Sequence, residues 1–188
     1  MAKARKSAVK ALLKINTESA FSNITLNSVL SESDLSPADK ALATALVYGV
    51  LDRKITIDYV LKQFIKTPLK KVAPFSLEVL RTAVYQIMFM DKIPNSAAVD
   101  EAVKLIKSSK ESRNSGFVNA VLRNILRADR LLPTGDDTES LSILYSCPVP
   151  IIESFIKDYG KDTAKHLLEE SLKPAPFTVR VNTLKISE

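Results

Sequence analysis

Along most of the first 130 residues, apolar side chains recur every three or four positions, the period of helices rather than strands. Between residues 3 and 16, Ala8, Ala11, Leu12 and Ile15 share one side. Lys3, Lys6, Lys10 and Lys14 fall within an arc of about 80° on the other side, at about 100° per residue. A short helix is expected from Ile24 to Leu30. Ser36-Pro37-Ala38-Asp39 is a strong helix start, with serine as cap and proline in the first turn. That helix should run to about Leu51, and another from Ile57 to Ile65, before Pro68. Pro74 to Met90 is apolar nearly all round, the mark of a central helix. Arg81 within it is expected to be buried against a carboxylate such as Glu101 or Glu78. Asn95-Ser96 should cap the next helix, with Val99, Val103 and Ile106 inward and Asp100 paired to Lys104 outward. The last long helix is expected from Gly116 to Leu131. It has an apolar half around Val118, Val121 and Ile125, and Arg123, Arg127 and Arg130 with Asn119 on the other half.

Pro133-Thr134-Gly135-Asp136-Asp137 breaks this pattern. The expected organisation is a helical domain over 1–132, a linker over 133–140, and a connector over 141–188 with helices at about 148–159 and 161–172. Phe177 to Asn182 alternates like a strand. Nothing else reads as a sheet, so its partners are expected in a next domain beyond Glu188. The fold class is all-α: a bundle of about seven helices, a short helical connector and one terminal strand.

Charge changes the picture next. Residues 1–132 carry 21 Lys/Arg against 12 Asp/Glu, whereas 133–188 carry 6 against 9. Residues 1–16 contain no acid. A basic region of this kind is a candidate for nucleic acid. Two stripes stand out: Lys3, Arg5, Lys6, Lys10 and Lys14, and then Asn119, Arg123, Arg127 and Arg130. Lysine and arginine neutralise phosphates, and arginine adds fork-like donors.

Chemistry of other kinds lacks its residues. The four glycines, Gly49, Gly116, Gly135 and Gly160, are isolated, whereas a nucleotide or S-adenosylmethionine loop needs them clustered. The single histidine, His166, cannot build a triad or a metal site alone and is expected at the surface. The single cysteine, Cys147, has no basic neighbour and reads as a small apolar residue. It leaves no internal disulfide and fits a cytoplasmic location. No catalytic residue and no metal ligand is expected. No apolar run reaches the roughly 18–20 residues of a membrane span, and no membrane partner is expected.

The series Val79-Leu80-Arg81, Tyr85-Gln86, Ile93-Pro94, Ala98, Glu101-Ala102-Val103, Leu105, Lys107, Phe117-Val118-Asn119 and Val121-Leu122-Arg123 resembles the NusB family. So does Arg5-x-x-Ala8-Val9-x-Ala11-Leu12 near the start. The likeness covers about residues 3–132. It implies an all-helical RNA-binding fold whose first helix, with Arg5 and the neighbouring lysines, contacts RNA. Asn119 matches the family's Phe-Val-Asn motif, and either RNA contact or local hydrogen bonding fits it. The continuation through Leu144-Tyr145-Ser146-x-Pro148, Pro174-x-Pro176 and Arg180-Val181-Asn182 is similar to Sun/Fmu-type ribosomal RNA methyltransferases, as is Tyr48-Gly49-Val50-Leu51. That likeness implies ribosomal RNA as partner and, for a full-length parent, S-adenosylmethionine and methylation of cytosine C5. The cofactor loop and catalytic cysteines of those enzymes match no position here. The alternative is a free-standing antitermination factor acting with RNA and the protein NusE. A protein partner on the helical surface is compatible with either.

Overall fold

The computed structural model describes residues 2–18, 20–173, 175, 178–182 and 185. Ten α-helices form among them: α1 (Ala2–Glu18), α2 (Ser22–Ser31), α3 (Pro37–Asp52), α4 (Lys54–Phe64), α5 (Pro74–Phe89), α6 (Asn95–Lys107), α7 (Ser115–Arg127), α8 (Thr138–Tyr145), α9 (Val149–Tyr159) and α10 (Lys161–Ser171). The helices α1 to α7 enclose one apolar core. Leu12, Leu46, Ile57, Leu61, Leu80, Ile106, Leu122 and Ile125 are its largest fully buried side chains. The helix α5 is central, as its all-round apolarity predicts, and packs on α1, α3, α4, α6 and α7. Ser36 caps α3 by accepting from the Asp39 N–H at 3.2 Å.

The glycine of Tyr48-Gly49 has a packing reason. The helix α3 crosses α5 so closely there that a Cβ on Gly49 would lie 2.0 Å from Cζ of Tyr85. Tyr85 in turn stacks beside Phe89, with ring centroids 5.6 Å apart. Arg53 lies over the Phe89 ring, its guanidinium carbon 4.8 Å from the centroid.

Arg81 is buried in α5, as expected, and holds two carboxylates. Its Nε and Nη2 donate to the two oxygens of Asp58, each at 2.7 Å, and its Nη1 donates to Glu78 at 2.6 Å. Glu78 was one of the two expected partners. Glu101 is instead on α6, paired with Lys104 at 3.2 Å, and Asp58 on α4 supplies the fork. Burial pushes the Glu78 carboxyl up, against the pull of Arg81.

Four local expectations are corrected. Lys104 pairs with Glu101, one turn back, and not with Asp100. The helix α6 begins on Pro94, and neither Asn95 nor Ser96 caps it with a side chain. The helix α7 ends at Arg127, because Ala128 turns extended (φ −78°, ψ 131°). This lets Leu131 and Leu132 fold back onto the core, where Gln63 donates to the Leu131 carbonyl at 2.9 Å. Finally, α8 begins at Thr138, inside the stretch expected to be linker. Asp137 caps it by accepting from the Ser140 N–H at 2.9 Å. An eight-residue helix is too short for its periodicity to stand out.

The helices α8, α9 and α10 share a small core of Leu141, Ile152 and Leu168, with Tyr145, Cys147, Phe155 and Ile156 against it. This connector docks on the start of α4. Ser146 takes a left-handed conformation (φ 53°) and closes α8. Its Oγ accepts the otherwise unpaired N–H of Ile55 at 3.1 Å, while Thr56 donates to the Ile143 carbonyl. One element thus satisfies a backbone N–H in another helix's first turn. Residues 178–182 join no sheet ladder; an isolated strand has nothing to pair with. Phe177, the first residue of the expected strand, lies outside the described residues.

Candidate nucleic-acid interface

The site is built on the outer faces of α1, α6 and α7. The helix α1 buries Ala4, Ala8, Val9, Ala11 and Leu12 and turns Lys3, Lys6 and Lys10 to solvent, with Lys14 half-buried. The lysine stripe then divides. Lys3 and Lys6 line a cleft of about 290 Å³ against α6, whose wall includes Glu101, Lys104, Leu105 and Ser108. Lys10 instead faces α2, 3.5 Å from Glu32. A hydrogen bond from Ser28 and the nearby Lys10 and Lys14 together lower the Glu32 carboxyl. The two ends of the stripe therefore present different charge.

On the opposite flank of α6 lies a recess of about 480 Å³, lined by Lys104, Lys107, Asn119 and Arg123 among others. Arg123 Nε donates to Asn119 Oδ1 at 3.0 Å. This holds the guanidinium of the exposed Arg123 in one orientation. Asn119 therefore works within α7, one turn from Arg123, and does not fix the helix start. Lys104 lines both hollows. It joins Lys3 and Lys6 to Lys107 and Arg123 in one basic band running from α1 over α6 to α7.

Five of the expected site residues lie off this band: Lys10 and Lys14 on the side of α2 and Glu32, and Arg5, Arg127 and Arg130. Arg5 is only 4% exposed. Its Nε donates to Gln86 Oε1 on α5 at 2.7 Å, and Gln86 passes the connection on to the Thr82 carbonyl. Burial lowers the Arg5 pKa, partly offset by Glu101 and Asp39. Arg5 therefore differs from the lysines beside it in sequence: it ties α1 to α5, and only one edge of it reaches the cleft. At about 100° per residue it sits about 200° from Lys3 and beside Leu12, so the helical wheel carried this signal. Arg127 and Arg130 are exposed without an ion-pair partner among the described residues, but Arg130 lies past the end of α7 and leaves the stripe. Lys104 and Lys107 were absent from the expected set. Their i, i+3 spacing on the polar face of α6 was the available signal. The assumed Asp100–Lys104 pair masked it.

Replacing Arg5 by alanine is expected to destabilise the fold by about 1–3 kcal/mol, because the buried Gln86 oxygen loses a charged donor. RNA affinity per folded molecule should fall less than in Lys6→Ala. Denaturant unfolding beside binding of the same samples checks both halves.

Cys147 is half-buried and burial raises its thiol pKa, the opposite of an activated nucleophile. His166 is exposed on α10. Among the described residues, no group of His, Cys, Asp and Glu could hold a metal, and no helix is long and apolar enough to cross a membrane. The glycines lie apart from one another in the fold. Gly49 is filled by Tyr85, Gly116 lies open on α7, and Gly160 is a left-handed joint (φ 80°) between α9 and α10.

The molecule is an all-α bundle with a basic band across three helices. Residues 2–127 match the NusB family model, and the chain belongs to the NusB family. It is 37% identical over 182 residues to a probable ribosomal RNA small subunit methyltransferase B of Bacillus subtilis (strain 168), covering 95% of this chain and 40% of that protein. The chain thus spans about two-fifths of that relative's length. It is also 36% identical over 121 residues to the transcription antitermination protein NusB of Idiomarina loihiensis, covering 64% of this chain and 86% of that one. The fold matches that in a crystal structure of the antitermination factors NusB and NusE in complex with dsRNA. The TM-score is 0.63 at 19% identity, over 67% of this chain and 95% of the other.

Proposed function

We propose that this chain is the RNA-binding N-terminal part of an S-adenosylmethionine-dependent ribosomal RNA cytosine-C5 methyltransferase. It holds ribosomal RNA on the band from Lys3 and Lys6 through Lys104 and Lys107 to Arg123, in the cytoplasm. The observation that carries this reading is the extent of the likeness to the B. subtilis relative. It runs through the connector helices α8 to α10 as well as the bundle, over 95% of the chain. The antitermination relative covers only 64%. The band supplies the phosphate-neutralising charge that such a role requires. In this reading methyl transfer is carried out by a part of the parent outside this chain, which spans 40% of the B. subtilis relative's length.

Binding to fragments of small-subunit ribosomal RNA, titrated with salt, tests the reading. Five phosphate contacts on single-stranded segments predict a log–log slope near −3.5. Binding that is absent or insensitive to salt would count against it. The coding sequence past Glu188 separates this reading from the antitermination one: a methyltransferase domain supports the first, a stop codon the second.

A further inference from the structure

The cleft between α1 and α6 does not end at Lys3. It continues past Lys6, Leu105 and Ser108, which it shares with a second hollow of about 320 Å³ reaching Leu13, Phe75 and Lys110. The two form one groove with an apolar floor of Leu13, Leu105 and Phe75 and a basic rim. The acids at its edge are engaged within the fold. Glu101 pairs with Lys104. The Glu111 carboxylate accepts from the N–H groups of Phe75 and Ser76 and from the Ser76 hydroxyl, at 3.3, 2.7 and 2.6 Å. It thereby serves the open first turn of α5. Lys6 and Lys110 have no ion-pair partner among the described residues, so the rim presents net positive charge.

An apolar floor beneath a cationic rim selects an occupant that is flat and apolar at one point and anionic around it. An apolar peptide would leave the lysines without counter-charge. A nucleic-acid duplex keeps its base faces stacked inside and could use only the rim. A single strand offers both parts: an unstacked base for the floor and phosphates for Lys6 and Lys110. The size agrees, because a cavity of about 150 Å³ already admits benzene. Building on the RNA-binding reading above, we propose that this groove seats an unpaired nucleobase of a single-stranded RNA segment, with Phe75 and Leu105 against the ring. The exposed band would then position the backbone, and the groove would make the chain prefer loops over helices.

The test compares a single-stranded oligoadenylate with an abasic ribose-phosphate oligomer of the same length and charge. The 188-residue chain should bind the first about tenfold more tightly. Ser108→Trp, which fills the groove from an exposed position, should bind both alike at the abasic level, with the salt slope of the unmodified chain. Leu105→Gln, checked by circular dichroism for helix content, should reduce the preference in the same direction. Salt-dependent binding that is equal for the two oligomers, or a preference that survives Ser108→Trp, overturns the groove and leaves the RNA-binding reading standing. Failure of both oligomers and of ribosomal RNA to bind in a salt-dependent way overturns both.

Discussion

Replacing Arg81 by alanine should lower the unfolding free energy by about 3–5 kcal/mol, because it strands two carboxylates that the guanidinium now serves. The Arg81 side chain is 8% exposed, Glu78 3% and Asp58 21%. The three residues join α5 to α4 through a bidentate fork and a third bond. One oxygen of Glu78, Oε2, is buried with no hydrogen-bond partner, so this carboxyl has little else to lean on. Urea unfolding should register the loss, and thermal unfolding a fall in Tm on the order of 10 °C. A change below about 1 kcal/mol would mean that water reaches the carboxylates easily. The pH dependence has a definite sign. Burial already raises the Glu78 pKa above its ordinary value of 4.5, and losing Arg81 raises it further. The folded state then binds the proton more tightly than the unfolded one. The variant should therefore be relatively most stable below about pH 4.5, and lose stability as pH rises through the folded-state pKa. Replacing all three groups with apolar residues of similar volume should cost far less than Arg81→Ala alone, since no charge is then stranded.

Removing the charges of Lys6, Lys104, Lys107 and Arg123 together should weaken RNA binding by about two to three orders of magnitude at low salt. It should also flatten the log–log slope by about 0.7 for each lost contact on a single strand. The four side chains are exposed, so stability should change by no more than about 0.5 kcal/mol per site. Binding isotherms at several salt concentrations provide both readouts. The matched control is Lys10→Ala with Lys14→Ala, which removes two lysines of the original stripe. Because it removes two charges instead of four, at the end of the stripe that faces α2 and Glu32, its effect should be several-fold smaller. Equal losses in the two variants would argue that phosphate tracks α1 alone and that the band across α6 is not the binding surface.

Much of this was legible in the residues themselves. The apolar periodicities located the seven bundle helices and made α5 central, because burying an apolar stripe is what holds such helices together. Ser36 and Pro37 marked the start of α3. Arg81 was legible as a buried charge, since a long apolar helix leaves it no route to water. The shortest helix, α8, was not legible: two turns carry too little pattern, and its stability comes from the Asp137 cap and from docking on α4.

The candidate site was legible in type but not in membership. Composition set the sign of the charge, and the stripe spacings showed which helices carry it. Charge on a one-dimensional chain, however, does not reveal what faces it across an interface. Arg5 and Lys6 are neighbours in sequence, yet α5 takes the first through Gln86 and solvent keeps the second. Lys104 was set aside as half of a pair with Asp100, whereas packing of α6 between α1 and α7 made it the joint of the band. The sequence alone determined an all-helical bundle with a basic amino-terminal part. Only the tertiary structure decided which cations stand together, because helix packing sets the distances between charges that lie far apart in the sequence.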